Sequence, residues 1–157
     1  MNQSSACDFP SDPGGREQIP QGSRVQRCLG GFRWEGVPVQ QYKSEADHWR
    51  GVIRMVLAGE SGERTAFHVR YFEVAPGGFT SLERHRHEHV VFVLRGCGEV
   101  QLDQTVHRIG PGDLIYVAPE ELHQFRNPAG AEPLGFLCIV DAVRDRPRLA
   151  DVPLPGC

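Results

Sequence analysis

The sequence lacks both a long apolar run and an excess of basic residues. A membrane-spanning helix needs roughly 18 to 20 consecutive apolar residues, and no stretch of the 157 residues approaches that length. The formal net charge is -3, from 17 Lys and Arg against 20 Asp and Glu. A chain of this charge has no electrostatic footprint for nucleic acid or for an anionic membrane. We therefore expect a small-molecule partner, with no nucleic acid and no membrane bound.

Cysteine is scarce and irregularly spaced. The five cysteines are Cys7, Cys28, Cys97, Cys138 and Cys157. An odd number without CxxC spacing fits neither a disulfide framework nor a zinc ribbon. The first residues, "MNQSSACDFPSDPGG", have neither the basic start nor the apolar stretch of a secretion signal. Free thiols and a cytoplasmic location are the expectation.

Glycine and proline divide the chain into short segments. Apolar or alternating runs such as "FHVRYFEV", "HVVFVLRG" and "LGFLCIV" lie between turns such as "APGG" and "RGCG". This rhythm predicts an antiparallel all-β sandwich or barrel, with a helical pattern suggested only around "SEADHW". Both ends are rich in polar residues and proline. We predict a disordered tail at 1–27, a single barrel domain at 28–145 and a flexible tail at 146–157.

Three histidines alternate with charged residues in "SLERHRHEHVVFVLRGCGEV", residues 81–100. Side chains two apart on a strand share a face, so Glu83, His85, His87 and His89 would line one face of an unbroken strand. Alone, such a strand is typical of a solvated surface, and a His-rich tract is only a compositional hint of metal binding. The later segment "GPGDLIYVAPEELHQFRNPAG" adds His123, with an asparagine four residues on.

Together, the two segments resemble the motifs of the cupin superfamily. The first motif is usually written G(x)5HxH(x)3,4E(x)6G and the second G(x)5PxG(x)2H(x)3N. In that family the two histidines, the glutamate and the last histidine bind one metal ion inside the barrel. The resemblance covers residues 70–140 and implies an all-β double-stranded β-helix, the jelly-roll antiparallel barrel of the cupins.

The first motif fits in two registers that name different ligands. Read literally, His85 and His87 form the HxH pair. The preceding glycine is then Gly78, one residue too far along, and the glutamate position falls on Val91 or Phe92. This register therefore loses a ligand.

Anchoring the motif on its glycines keeps every interval. From Gly77, the spacing reaches Glu83, then His85, then His89, and ends at Gly96. Glu83 takes the place of the first histidine, and His89 takes the place of the glutamate. The resemblance then implies the metal ligands Glu83, His85, His89 and His123. Three imidazoles and one carboxylate suit one divalent transition metal ion, namely Fe, Mn, Ni, Co or Zn, with Mn or Fe favoured.

The second motif matches in its outer intervals and departs in its turn. The spacings from Gly112 to His123 and from His123 to Asn127 agree with the family pattern. The proline is displaced to Pro119, and Glu120 occupies the position of the usual glycine. These departures affect the shape of the loop more than the ligand.

Other residues are candidates for the substrate pocket or for contact with the metal ligands. His87 is either a solvent-facing turn residue or a rim residue that donates protons. Phe125, Phe136 and Cys138 are either pocket lining or ordinary barrel core. Arg70 either clamps a carboxylate or oxygenated substrate, or is an exposed or interface residue. No catalytic residue beyond the metal ligands is assigned.

The resemblance implies an enzyme, most directly a mononuclear Fe or Mn dioxygenase-type oxidoreductase acting on an oxygenated organic substrate. A Lewis-acid isomerase, lyase or cyclase is the alternative, since a bound ion also polarises substrate oxygens. A non-catalytic sensor that binds a small ligand is a further alternative. We also expect a homodimer, because small cupins often pair strands across subunits and so bury open sheet edges.

Overall fold

The computed structural model describes residues 22–42, 48–128 and 131–150. These residues form thirteen strands: β1 Cys28–Gly30, β2 Arg33–Trp34, β3 Gln40–Gln41, β4 Arg50–Ala58, β5 Phe67–Phe79, β6 Glu83–Arg84, β7 His89–Arg95, β8 Gly98–Leu102, β9 Thr105–Ile109, β10 Leu114–Val117, β11 His123–Arg126, β12 Leu134–Asp141 and β13 Arg148–Leu149. The described ranges contain no helix, and so none that is long and apolar enough to cross a membrane. Most of the "SEADHW" segment, and residues 1–21 of the predicted tail, lie outside the described residues.

Eleven of the strands form one sheet in which every pairing is antiparallel. Its central order is β10-β7-β12-β5-β11-β6-β13, with β4 also pairing with β5, and β8 with β11. The long strand β5 contacts β4, β12 and β11, so the sheet curls around a single interior. Strands β1 and β2 form a separate hairpin. This arrangement confirms the predicted all-β jelly-roll barrel.

The interior is filled by alternate side chains of the strands. In β7, Val91 and Val93 are fully buried, whereas the intervening Phe92 is 39% exposed. The same alternation holds in β12, where Phe136 and Cys138 are buried and Ile139 faces outward. A period of two is what one buried face requires of a strand. Polar residues on this inward face therefore point into the barrel.

Two glycines of the first motif are required by the backbone. Gly77 and Gly96 both have positive φ, at 75° and 65°, a region that side chains disfavour. At Gly96, an added Cβ would also lie 2.3 Å from the carbonyl oxygen of Pro133. Gly77 lies within β5 and Gly96 lies between β7 and β8. The two positions bracket the histidine-rich segment, which explains why spacing measured from them locates it.

Glu120 takes the left-handed conformation that the second motif assigns to glycine. Its φ is 65°, and its amide donates a hydrogen bond to the His85 carbonyl at 2.7 Å. Replacement of the motif glycine by Glu120 thus leaves the turn in the conformation that glycine would favour. The conformational cost is about 1 to 3 kcal/mol.

The ordered chain continues past the predicted boundary at residue 145. Strand β13 pairs with β6, with Leu149 opposite Glu83, and the Ala150 amide donates to the Leu82 carbonyl at 3.0 Å. Part of the segment predicted to be a flexible tail is thus a paired strand, and flexibility of 146–157 stays a prediction. The short strand β6 has free backbone groups on that side, and β13 satisfies them despite the neighbouring prolines.

Asn127 is a buried crosslink between β5 and the loop after β11. Its side-chain amide donates to the carbonyls of Val74, at 3.0 Å, and Glu132, at 2.8 Å. The residue is 0% exposed, so no solvent replaces these bonds.

We predict that Asn127→Ala destabilises the fold by about 2 to 4 kcal/mol, because the buried Val74 carbonyl and the part-buried Glu132 carbonyl lose their donor. Urea unfolding followed by circular dichroism measures this as a lower midpoint. Gln101→Ala is the matched control, since its amide makes a single exposed bond to the Asp103 carbonyl. Equal midpoints for the two variants would contradict this role of Asn127.

Candidate metal centre

A cavity inside the barrel opens beside the histidine-rich segment. Its volume is about 220 Å³, and its lining includes Tyr42, Arg54, Arg70, Glu83, His85, His87, His89, Arg144, Asp145 and Pro147. A smaller cavity of about 40 Å³ adjoins it and shares Tyr42, Arg70, Glu83 and His89. The cluster of histidines therefore faces a partly open cavity that a small molecule can enter.

Strand pairing brings the two motif segments together. His123 in β11 lies directly opposite Glu83 in β6, so both side chains project from one face of the sheet. One donor atom each from Glu83, His85 and His123 lie within 4.8 Å of one another. The same holds for His85, His87 and His89. His85 belongs to both groups, which therefore form one cluster able to hold a metal ion.

Backbone carbonyls fix the orientation of two of the imidazole rings. His85 Nδ1 lies 2.7 Å from the His87 carbonyl oxygen, and His123 Nδ1 lies 3.0 Å from that of Glu121. A carbonyl oxygen only accepts hydrogen bonds, so Nδ1 carries the proton in both rings. Nε2 is then left with a free lone pair. In His85 that atom is buried and has no hydrogen-bond partner, as expected of an atom poised to ligate.

His89 completes the cluster from the start of β7. Its ring centroid lies 4.5 Å from that of His85 and 5.2 Å from that of His123. Its Nδ1 is 3.5 Å from the sulfur of Cys138, and its Nε2 is buried without a partner. Burial raises the pKa of the Cys138 thiol, so the thiol is protonated at neutral pH.

Burial keeps the clustered imidazoles neutral. It is the largest cause that lowers the pKa of His85, to about 4, and it also lowers the pKa values of His89 and His123. Neighbouring imidazoles lower the pKa of His89 further. A neutral imidazole is the form that binds metal. The donor set of neutral imidazoles and one carboxylate therefore fits a divalent transition metal ion.

His87 lies at the cavity and not in solvent. It is 8% exposed, and its ring stacks on that of His85 with centroids 3.6 Å apart. Its Nδ1 lies 2.8 Å from an Asp145 carboxylate oxygen. The solvent-facing alternative is therefore wrong. His87 also lies within reach of the possible ligands His85 and His89. The exclusion of His87 from the ligand set therefore stays a prediction.

Asp145 is a site residue that the sequence did not reveal. Its carboxylate accepts hydrogen bonds from the backbone amide of Arg86, at 3.0 Å, and from the His87 ring. The His87 bond is the largest cause that lowers the pKa of Asp145. A carboxylate on the far nitrogen of a histidine fixes the ring and its tautomer. Asp145 lies outside both motifs, so no spacing pointed to it.

The remaining candidates all reach the cavities. Arg70 is buried and lines both of them, so it is not an exposed residue. Phe125, Phe136 and Cys138 line the smaller cavity and also belong to the hydrophobic core. These three residues are therefore both cavity lining and barrel core, so both alternatives are correct.

Three further polar lining residues went unnoticed in the sequence: Tyr42, Arg54 and Arg144. Arg54 carried a signal, because it is the only charged residue within the apolar run "GVIRMVL". It lies opposite Phe72 of β5 and so shares its inward face. Tyr42 and Arg144 come from segments without a strand pattern, and nothing in the sequence marked them.

Comparison with known proteins agrees with this architecture. Residues 70–140 match the family model of the Cupin domain. A curated relative from Rhodospirillum rubrum, a 1-methylthio-D-xylulose 5-phosphate methylsulfurylase, is 45% identical over 119 residues, which are 75% of this chain and 74% of the relative.

Solved structures extend the similarity to the whole barrel. A cupin 2 conserved barrel domain protein from Rhodopseudomonas palustris is 42% identical, with a TM-score of 0.71 over 82% of this chain and 86% of that one. A cupin-2 domain protein from Rhodospirillum rubrum is also 42% identical, with a TM-score of 0.70 over 82% of this chain and 83% of that one. With its barrel, its two motifs and these relatives, the chain belongs to the cupin superfamily.

Proposed function

We propose that this chain is a metal-dependent enzyme that acts on 1-methylthio-D-xylulose 5-phosphate or a closely similar phosphorylated methylthio sugar. The proposed metal site rests on one observation: imidazole nitrogens with free lone pairs cluster around a single carboxylate. The substrate class is supported by the R. rubrum methylsulfurylase, which is 45% identical over 119 residues. The site and this relative both support the proposal, whereas the cupin fold alone hosts many functions.

The metal ligands proposed are Glu83, His85, His89 and His123, with His87 as a further candidate. The ion is a divalent transition metal, with Mn or Fe favoured. When bound, it supplies Lewis acidity that polarises an oxygen atom of the substrate. This chemistry suits a sugar that carries carbonyl and hydroxyl oxygens.

The chain supplies charge and protons around that centre. The guanidinium of Arg70 holds a permanent positive charge in the cavity and donates from Nη2 to the Cys138 sulfur at 3.2 Å. Burial raises the pKa of Tyr42, so its hydroxyl keeps its proton and is able to donate it in a hydrogen bond. His87 Nδ1 donates a hydrogen bond to the Asp145 carboxylate. These groups orient an oxygen-rich ligand and provide sites for proton exchange.

The dioxygenase expectation receives no support from the methylsulfurylase relative, whose name describes methylthio-group chemistry. It stays a prediction. The Lewis-acid alternative from the sequence is the one that the proposed substrate favours.

We predict that His85→Ala lowers the bound metal by at least about tenfold, since His85 belongs to both donor groups. Elemental analysis after dialysis of the metal-loaded protein gives the occupancy. His107→Ala is the control, because His107 is an exposed histidine in β9. Comparison of Glu83→Ala with His87→Ala then shows which of these two residues binds the ion. Full metal occupancy in His85→Ala would contradict the proposed centre.

We predict that the Mn- or Fe-loaded protein consumes 1-methylthio-D-xylulose 5-phosphate and that the metal-free protein does not. A transferred methylthio group needs an acceptor, so the assay contains a small thiol. Mass spectrometry follows the loss of substrate and the fate of the methylthio group, while an oxygen electrode runs in parallel. No turnover by any metal-loaded form would refute the proposed substrate, and oxygen uptake that tracks substrate loss would favour the dioxygenase.

We also propose that the chain forms a homodimer through the outer face of β10, β7 and β12. Exposed apolar residues there include Phe92, Leu114, Tyr116 and Ile139, and Leu114 lies opposite Phe92. Among the described strands, β10 pairs only with β7, so its other edge is open. An apolar face that continues to an open edge fits a second copy of the chain.

We predict that Leu114→Asp yields monomers in light scattering, because a charge would be buried in the interface. Val106→Asp serves as the control, since Val106 is exposed on β9, which lies elsewhere on the sheet. A monomeric wild-type protein would rule out the dimer.

A further inference from the structure

Three arginine side chains line the cavity next to the imidazole cluster: Arg54, Arg70 and Arg144. Arg54 in β4 lies opposite Phe72, and Arg70 in β5 lies opposite Val56. The two arginines are therefore diagonal neighbours on the inward face of the β4–β5 pair. Arg144 approaches from the loop that follows β12. Separate elements of the barrel thus direct three positive charges at one enclosed volume.

None of the three guanidinium groups has a carboxylate partner within 4.0 Å in the part of the chain that the structure describes. This differs from Arg33 and Arg95, which both pair with Glu73. Buried and half-buried arginines are normally paired, because an uncompensated charge is costly to desolvate.

The partners that the three arginines do have are neutral. Arg54 donates to the side-chain oxygen of Gln40, from Nη2 at 2.8 Å and from Nε at 3.3 Å. Arg144 donates from Nη1 to the Asp141 backbone carbonyl at 2.7 Å. Arg70 contacts the Cys138 sulfur, and its Nε is buried with no partner. Arg144 Nη1 also lies 3.1 Å from His68 Nδ1, and the Arg70 guanidinium lies 5.2 Å from the centre of the Phe72 ring. These contacts hold the side chains in place without a carboxylate.

The charges are close enough to act on one another. Burial is the largest cause that lowers the pKa of Arg144, and the positive charges of Arg70 and Arg54 lower it further, while Glu60 opposes them. Of the carboxylates around the cavity, Asp145 pairs with His87, and Glu83 belongs to the imidazole cluster. Glu60 lies 3.4 Å from His68 Nδ1 and offsets part of the Arg144 charge. The local field at the arginines therefore favours an anion.

We propose that Arg54, Arg70 and Arg144 form the binding site for the phosphate group of the substrate. This inference rests on the proposed function, which supplies a phosphorylated sugar. A guanidinium matches phosphate oxygens with paired N–H donors, and a dianionic phosphate offsets most of the charge of three arginines. Because Arg70 also lines the smaller cavity with His89 and Cys138, a sugar held by its phosphate at Arg54 and Arg144 extends its other end toward the imidazole cluster.

The phosphate site is tested first without turnover, by calorimetric titration of the full-length protein with inorganic phosphate. The titration is run on metal-free and on metal-loaded protein, so that binding to the ion is separated from binding to the arginines. We expect wild-type protein to bind phosphate in the absence of metal. We expect Arg144→Gln and Arg54→Gln to weaken this binding at least tenfold, which corresponds to about 1.4 kcal/mol. Arg108→Gln, an exposed arginine in β9, should bind as the wild type does.

Arg144→Lys keeps the charge but loses the paired donors, so we expect intermediate affinity. Circular dichroism of each variant establishes that it is folded. Absence of phosphate binding by metal-free wild type, or unchanged affinity in both glutamine variants, would overturn the phosphate site.

A second readout separates this inference from the proposed function. With 1-methylthio-D-xylulose 5-phosphate, we expect Arg144→Gln to raise KM at least tenfold with a smaller change in kcat. Arginine-dependent phosphate binding without any turnover would refute the proposed substrate and leave the phosphate site standing. Turnover with an unchanged KM in Arg144→Gln would refute the phosphate site and leave the proposed function standing.

Discussion

The pairing of β6 with β11, which sets Glu83 opposite His123, is the constraint on which the rest of the site depends. A shift of one residue in this register would turn every side chain of the shorter strand to the other face of the sheet. The neighbouring strands resist such a shift. Strand β13 pairs with the other edge of β6, and β8 pairs with β11 along its full length. Glu83 and His123 are therefore brought together only because the pairings of β6, β8, β11 and β13 all fix the same register.

Within that frame, the protein leaves lone pairs unsatisfied at its centre. Carbonyls hold Nδ1 of His85 and His123, and Nε2 of His85 and His89 is buried without a partner. Each such atom costs about 1 to 3 kcal/mol in an apolar interior. A metal ion that bound these atoms would remove the cost, so metal binding and fold stability are coupled. The three cavity arginines lack a carboxylate partner in the same way, so a bound anion would stabilise them. The cavity thus combines a site for a cation with a site for an anion.

Much of this was predictable from the sequence. Glycine and proline punctuation predicted the all-β barrel, and spacing from Gly77 and Gly96 pointed to Glu83 and His89 as members of the cluster. That spacing is informative because both glycines have positive φ, a backbone conformation that other residues rarely adopt.

Other features followed from tertiary contacts that no local pattern records. The chain leaves the strand conformation between β6 and β7, so strand alternation does not determine where His85 and His87 point, and the close stacking of their rings could not be predicted. Asp145 reaches His87 from 58 residues along the chain. The strand at 148–149 lies beside a proline, which suggested a flexible tail, yet it completes the edge of β6.

The arrangement of imidazole lone pairs is the central claim, and long-range proton–nitrogen NMR correlation of the histidine side chains in the metal-free protein tests it most directly. At neutral pH the account predicts that His85 and His123 carry their proton on Nδ1, with an unprotonated Nε2 whose resonance shifts when Zn²⁺ is added. Protonation of Nε2 in these rings, or imidazolium forms at pH 7, would contradict it.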